Sequence, residues 1–262
     1  MTENRFQVIS QDKFATQKWV RMQSLGFARQ DMAVSLTLAD AISCMNYMAT
    51  AFMADASGYA FVGIQGFETN SNLFIEDDGR WTGRYIPQLY QFYPFKLARN
   101  ASNEFVMCID TASGVLRSLE SQDEGYYFYK DGAVSPAIAD FFNKMLKYEA
   151  DMVSTRKITE KLASLDLLEP WPMRLEKATG VGKIEGFYRI CESKLNTLAP
   201  DDLAELRNMG GLMLAYSQLF AMQNLKDLAQ RHILKFRNAT AQTEPAVVDY
   251  FSDNGTINFS GL

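Results

Sequence analysis

The sequence predicts an α+β protein, with an antiparallel β-rich N-terminal half packed against a helical C-terminal half in a single domain. Three observations carry this. Up to about residue 133, short apolar runs alternate with Gly- and Asp-containing turns; beyond Ser135-Pro136, apolar residues recur at helical spacing. No linker, internal repeat or low-complexity segment divides the 262 residues, which suffice to bury a core without disulfides. The domain is expected over residues 1–239, followed by an extended or partly disordered tail from about Thr240.

In chain order, Leu38–Met48 reads as a short helix preceding the sheet, and the apolar run Ala60–Ile64, flanked by glycines, as a buried strand. Leu73-Phe74-Ile75 followed by Glu76-Asp77-Asp78-Gly79 is a hairpin signal, with Gly79 supplying a positive φ. Tyr90–Tyr93 leads into Pro94-Phe95, and Glu104–Ile109 alternates as a strand should. Tyr126–Tyr129 ends at the turn Lys130-Asp131-Gly132. Ser135 then offers an N-cap with proline at the first helical position. Phe141, Met145, Tyr148, Met152, Ile158, Leu162 and Leu165 make one apolar stripe on a long helix, with a break expected near Thr155 and a stop at Glu169-Pro170-Trp171-Pro172. A glycine-rich turn follows, then a strand over Gly186–Cys191. A short helix opens at Pro200-Asp201-Asp202 and ends at Gly210-Gly211; a final helix spans Leu212–Arg231.

Charge and composition exclude several functions. With 26 Lys+Arg against 31 Asp+Glu the net charge is −5, which argues against a general nucleic-acid binder. The uncharged stretch Ala41–Ala54 is too short to cross a bilayer, so no membrane insertion is expected, and the polar N-terminus shows no secretory h-region. Cys44, Cys108 and Cys191 lie far apart among apolar neighbours, as buried thiols in a reduced cytoplasm would.

Candidate chemistry is sparse. Glu76-Asp77-Asp78 runs consecutively into a turn, whereas a calcium loop spreads its ligands over a longer segment. His232 is the single histidine and stands among Arg231, Lys235 and Arg237, where interaction with a helix C-terminus is the simpler account. A catalytic triad would need it beside a nucleophile, and no G-x-S-x-G elbow exists. Gly180-Val181-Gly182-Lys183-Ile184-Glu185-Gly186 has the wrong glycine spacing for a dinucleotide loop and reads as a flexible turn. No metal and no cofactor are expected. The densest feature is Asn72–Lys96, which places Trp81, Tyr85, Tyr93 and four more aromatics beside Arg80, Arg84 and Lys96. Such a surface can stack on a sugar or peptide while arginine pairs a carboxylate, and Asp110 is a candidate partner for Arg80 or Arg84. The competing account is that the aromatics fill the core and the arginines cap turns.

The same stretch resembles the SapC family of bacterial proteins, known from an S-layer locus and distinct from the peptide-transporter permease of that name. The resemblance rests on Asn72-Leu73-Phe74, Gly79-Arg80-Trp81, Tyr85-Ile86-Pro87 and Tyr93-Pro94-Phe95. Weaker matches are Cys108-Ile109-Asp110, Leu167–Pro170, Gly186-Phe187-Tyr188 and Lys194-Leu195, and together they span about residues 30–235. Family members usually carry basic residues just before Tyr-Pro-Phe, where this chain has Tyr90-Gln91-Phe92. The resemblance supplies no catalytic residues. It implies a soluble, non-enzymatic accessory or binding protein linked to S-layer, cell-envelope or peptide-modification loci, with a peptide, glycan or protein partner. Two other readings stand beside it. One is an enzyme or ligand-binding subunit acting on a peptide or glycan through Arg80, Trp81, Arg84, Tyr85, Tyr93 and Asp110. The other is a homo-oligomer paired through the long helix.

Overall fold

The computed structural model describes residues 5–177 and 180–239, and the tail read from Thr240 lies outside them. The fold is α+β, with antiparallel sheets in the N-terminal half and helices in the C-terminal half. The described residues fall into two compact units. One comprises residues 5–25 and 88–150, the other residues 26–87 and those from Asp151 onward.

The first unit holds two three-stranded sheets. Phe105–Asp110 lies between Phe6–Val8 and Phe95–Arg99, in a register that sets Phe6 opposite Asp110 and Phe95 opposite Ile109. Gln17–Trp19 lies between Leu116–Ser118 and Tyr126–Tyr127. The turn read at Lys130–Gly132 joins Tyr129–Lys130 to Ala133–Val134, with Asp131 and Gly132 both at positive φ, as a tight hairpin requires. Phe14, Trp19, Phe95, Met107, Ile109, Phe128, Ile138 and Met145 form the core. Phe95 sits at its centre, with ring centroids 4.9 Å from Trp19 and 5.0 Å from Phe141. Tyr90 lies in a short helix, Gln88–Phe92, and the strand begins only at Phe95.

The long helix, Pro136–Ser164, starts where its cap predicts, with Ser135 Oγ accepting from the Ile138 N–H at 3.3 Å. It runs 29 residues without the break expected at Thr155. The Thr155 hydroxyl donates to the Asp151 carbonyl one turn back, at 2.7 Å, and accepts from the Leu38 N–H at 2.9 Å. It therefore stays in the helix and tethers the start of Leu38–Cys44. The helix ends at Ser164, and the Pro-rich segment read as its stop is instead the strand Leu168–Pro170.

The second unit is built on a five-stranded antiparallel sheet in the order Leu168–Pro170, Phe187–Ile190, Thr50–Asp55, Gly58–Ile64, Ala33–Ser35. Helix Leu38–Cys44 begins in a capping box between Thr37 and Asp40. Two expectations are corrected. The glycine-rich segment is no loose turn: Met173–Lys177 and Gly180–Ile184 pair as an antiparallel hairpin. The final helix is also divided, into Gly211–Ala221 and Leu225–Ala239 with a 3₁₀ turn at Met222–Asn224. The buried Asn224 amide donates to the carbonyls of Met45 (2.7 Å) and Met48 (3.2 Å), and so holds the turn against the end of another helix. His232 lies within the last helix rather than at its end, buried and edge-on to Phe67 at 5.8 Å.

Candidate functional site

The aromatic block of the second unit is built around its own backbone. The Asn72 side chain is fully buried; its amide donates to the Ala28 carbonyl (3.0 Å) and its oxygen accepts from the Phe74 N–H (2.9 Å). The hairpin closes through Glu76 N–H to the Arg80 carbonyl and Thr82 N–H to the Phe74 carbonyl, with Gly79 at φ 85°. Just upstream, Gly66 passes so close to the Ser71 carbonyl that a β-carbon would lie 2.0 Å from its oxygen. Trp81 stacks on Phe74 with centroids 5.1 Å apart and planes 14° from parallel.

Three cations clamp this hairpin. The Arg231 guanidinium lies 4.7 Å from the Phe74 centroid and donates to the Thr82 hydroxyl at 2.6 Å. Lys235 donates to the Asn72 carbonyl (3.1 Å), and Arg29 to the Asp77 carbonyl (2.6 Å). Burial pushes the Arg231 pKa down.

The four site residues predicted in this unit separate into different environments. Trp81 belongs to the stack. Arg80 is exposed and lies 3.7 Å from Asp78, with both side chains about two-thirds exposed, a geometry of little energetic consequence. Arg84, also exposed, lies 6.0 Å from the centroid of the Tyr47 ring. The Tyr85 hydroxyl donates to Asp40 Oδ1 at 2.5 Å, while Asp40 Oδ2 accepts from the Thr37 N–H and hydroxyl.

Tyr93 and Asp110 belong to the first unit, and there they meet. The Asp110 side chain is fully buried. Its Oδ2 accepts from Tyr93 (2.6 Å) and Arg5 (2.6 Å), and its Oδ1 from the Ala112 N–H (3.0 Å). The partner of Asp110 is thus Arg5, not Arg80 or Arg84. Strand pairing of Phe6 with Asp110 delivers that arginine across 105 residues of sequence. Burial alone would raise the Asp110 carboxyl, but the hydrogen bonds from Arg5 and Tyr93 outweigh it and hold the group below the usual carboxylate range. The same contacts raise Arg5. Burial, then the bond to Asp110, raises the Tyr93 phenol.

The first unit also carries a groove of about 1080 Å³ that the sequence reading did not single out. It is lined by the segment leaving the central strand Gln17–Trp19, by the turn before Leu116–Ser118, and by residues 122–127. Lys18, Arg21 and Arg117 supply cations, and Tyr126 and Tyr127 supply exposed rings. Tyr126 stacks on Trp19 at 4.9 Å, and Arg21 lies 5.4 Å from the Tyr126 centroid. Lys18 is spent on the Ser121 carbonyl (2.7 Å). Arg117 is spent on Asp123 (2.6 Å) and on the carbonyls of Gly114 and Leu116. Hydrogen bonds from Arg117 and Ser121 hold the Asp123 carboxyl below its ordinary range. The sequence signal was the pairing of Tyr126-Tyr127 with the Lys18-Trp19-Val20-Arg21 run, which periodicity registers only as strand.

Cys44, Cys108 and Cys191 are buried free cysteines, and burial pushes the Cys44 thiol up to about 12. Among the described residues, no group of three or more His, Cys, Asp or Glu side chains is placed to hold a metal ion, and no helix is long and apolar enough to cross a membrane.

The SapC family model covers residues 9–228, and the chain belongs to the SapC family. No curated protein and no solved structure matches it.

Proposed function

We propose that this SapC-family chain is a non-catalytic accessory protein of S-layer, cell-envelope or peptide-modification loci. It works in the cytoplasm and acts by holding a peptide or glycan. The observation that carries the reading is the groove of about 1080 Å³ in the first unit, where Arg21 and the rings of Tyr126 and Tyr127 face solvent. Ligand sites are concave and combine apolar or aromatic surface with a few oriented polar groups, and this groove has both. The buried thiols and the packed His232 support a binding role over nucleophilic chemistry. A combined peptide and glycan array tests the proposal. Ligands retained by the parent chain and lost by the Arg21→Ala/Tyr127→Ala double variant support it. Ligands retained equally by both, or an array without ligands, would sink it.

A second reading is an enzyme or ligand-binding subunit acting on a peptide or glycan through Arg80, Trp81, Arg84 and Tyr85 of the second unit alone, Tyr93 and Asp110 being engaged with Arg5 in the first. It is favoured by one observation, the exposure of the Arg80 and Arg84 guanidinium groups. Array binding lost on Arg84→Ala but kept in the groove variant would select it.

A further inference from the structure

We infer that the ligand of the first-unit groove is an acidic oligosaccharide, read through a carboxylate on Arg21 and a sugar face on Tyr127; this rests on the binding role proposed above. Two of the three cations in the groove are already engaged. Lys18 donates to the Ser121 carbonyl, and Arg117 divides its donors between Asp123 and two carbonyls. Arg21 is exposed and is held over the Tyr126 ring, which in turn rests on Trp19. Its guanidinium carbon lies 5.4 Å from the Tyr126 centroid, and an exposed guanidinium offers a planar fork of N–H donors that takes a carboxylate bidentately. The charged lining is Lys18, Arg21 and Arg117 against Asp123 and Glu124, so the groove carries an excess of one positive charge on a chain of net charge −5.

Two features favour a sugar over a peptide. The strands flanking the groove's central strand are only three and two residues long, Leu116–Ser118 and Tyr126–Tyr127. Edges that short give an extended peptide little ladder to extend. The remaining polar lining includes Ser113, Gln23 and Gln122, hydroxyl and amide groups that both donate and accept, as a hydroxyl-dense ligand demands. Tyr127, 48% exposed, offers a ring on which a sugar's apolar face can lie. The volume of about 1080 Å³ slightly exceeds the roughly 300–1,000 Å³ usual for small-ligand sites, room for several linked rings.

Calorimetric titration of the full chain with hexagalacturonate, maltohexaose and hexaglutamate separates the outcomes. Hexagalacturonate should bind best, at least tenfold tighter than either of the others, and should weaken as salt is raised. Arg21→Gln should reduce that affinity roughly tenfold or more while leaving the thermal midpoint in place. Arg21→Lys, which keeps the charge but loses the fork, should fall between. Tyr127→Ala should weaken the acidic and neutral sugars alike. Tighter, Arg21-dependent binding of hexaglutamate would overturn the sugar assignment and leave the binding role standing. Equal binding of maltohexaose with no effect of Arg21→Gln would overturn the carboxylate assignment. Absence of binding by all three, with ligands of other chemistry captured on the array, would overturn this inference alone; absence on both would remove the binding role with it.

Discussion

The hairpin at residues 72–82 and the groove beside Tyr126 use the same residue types to opposite ends. In both, arginine lies over an aromatic ring and lysine is held by a main-chain carbonyl. Around the hairpin, however, the arginine donors turn inward: Arg231 to Thr82 and Arg29 to the carbonyls of Glu76 and Asp77. In the groove, Arg21 stays exposed over its ring. Cation–aromatic density alone therefore does not mark a binding surface. What separates the two cases is the local supply of acceptors. An irregular hairpin leaves carbonyls without ladder partners, and these draw in any long cationic side chain within reach. The groove's flanking segments spend their carbonyls on Lys18 and Arg117, and Arg21 is left over.

Substitutions at four positions test that contrast and the buried carboxylate beside it, in decreasing order of expected effect. Gly66→Ala should cost about 3 kcal/mol, because its β-carbon would meet the Ser71 carbonyl and force the backbone leading into the hairpin to shift. Urea denaturation measures this, and a loss under about 0.5 kcal/mol would mean that the close approach there is not needed. Arg231→Ala should cost about 2 kcal/mol by losing the contact with Phe74 and leaving Thr82 short of a donor. Arg231→Lys should not restore it, since a point charge cannot both cover the ring and reach Thr82. An unchanged thermal midpoint in Arg231→Ala would break the comparison, for the clamp would then be no clamp.

Asp110→Asn should cost about 1.5 kcal/mol at neutral pH by weakening the bonds from Arg5 and Tyr93. Because the folded carboxyl titrates below its ordinary value, its contribution is fully present above about pH 4 and is lost as pH falls through the lower folded value. The gap between parent and variant should therefore close in acid; a constant gap would show that the charge is not what the variant removes. Arg21→Ala should be the mildest, within about 0.5 kcal/mol of the parent. A loss as large as that of Arg231→Ala would show the groove to be a second clamp and erase the distinction.

Much of the fold was legible because the signals were local. Alternation over Glu104–Ile109 marked the strand Phe105–Asp110, the run after Gly186 marked Phe187–Ile190, and Ser135-Pro136 marked the start of the long helix. The errors arose where a distant partner decides the outcome. Thr155 stays helical through its bond to Asp151 and is engaged by Leu38, 117 residues away. The last helix breaks at Asn224 because carbonyls of Met45 and Met48 wait for its amide. The link of Asp110 to Arg5 depends on strand register, which no short window contains. The candidate site was less legible than the fold. Aromatic density pointed to residues 72–96, whereas the groove joins segments near residues 20, 115 and 125 that look ordinary one by one.

The pairing of Phe6–Val8 with Phe105–Asp110 also has a consequence during synthesis. The N-terminal strand leaves the ribosome about 100 residues before its partner, roughly 5–20 s at ordinary elongation rates. Throughout that interval Arg5 and Phe6 stay without the strand that engages them. Stalled nascent chains in which Phe105–Asp110 is still inside the ribosome or has fully emerged should accordingly differ in protease resistance at the N-terminal strand, with protection appearing only in the longer chain.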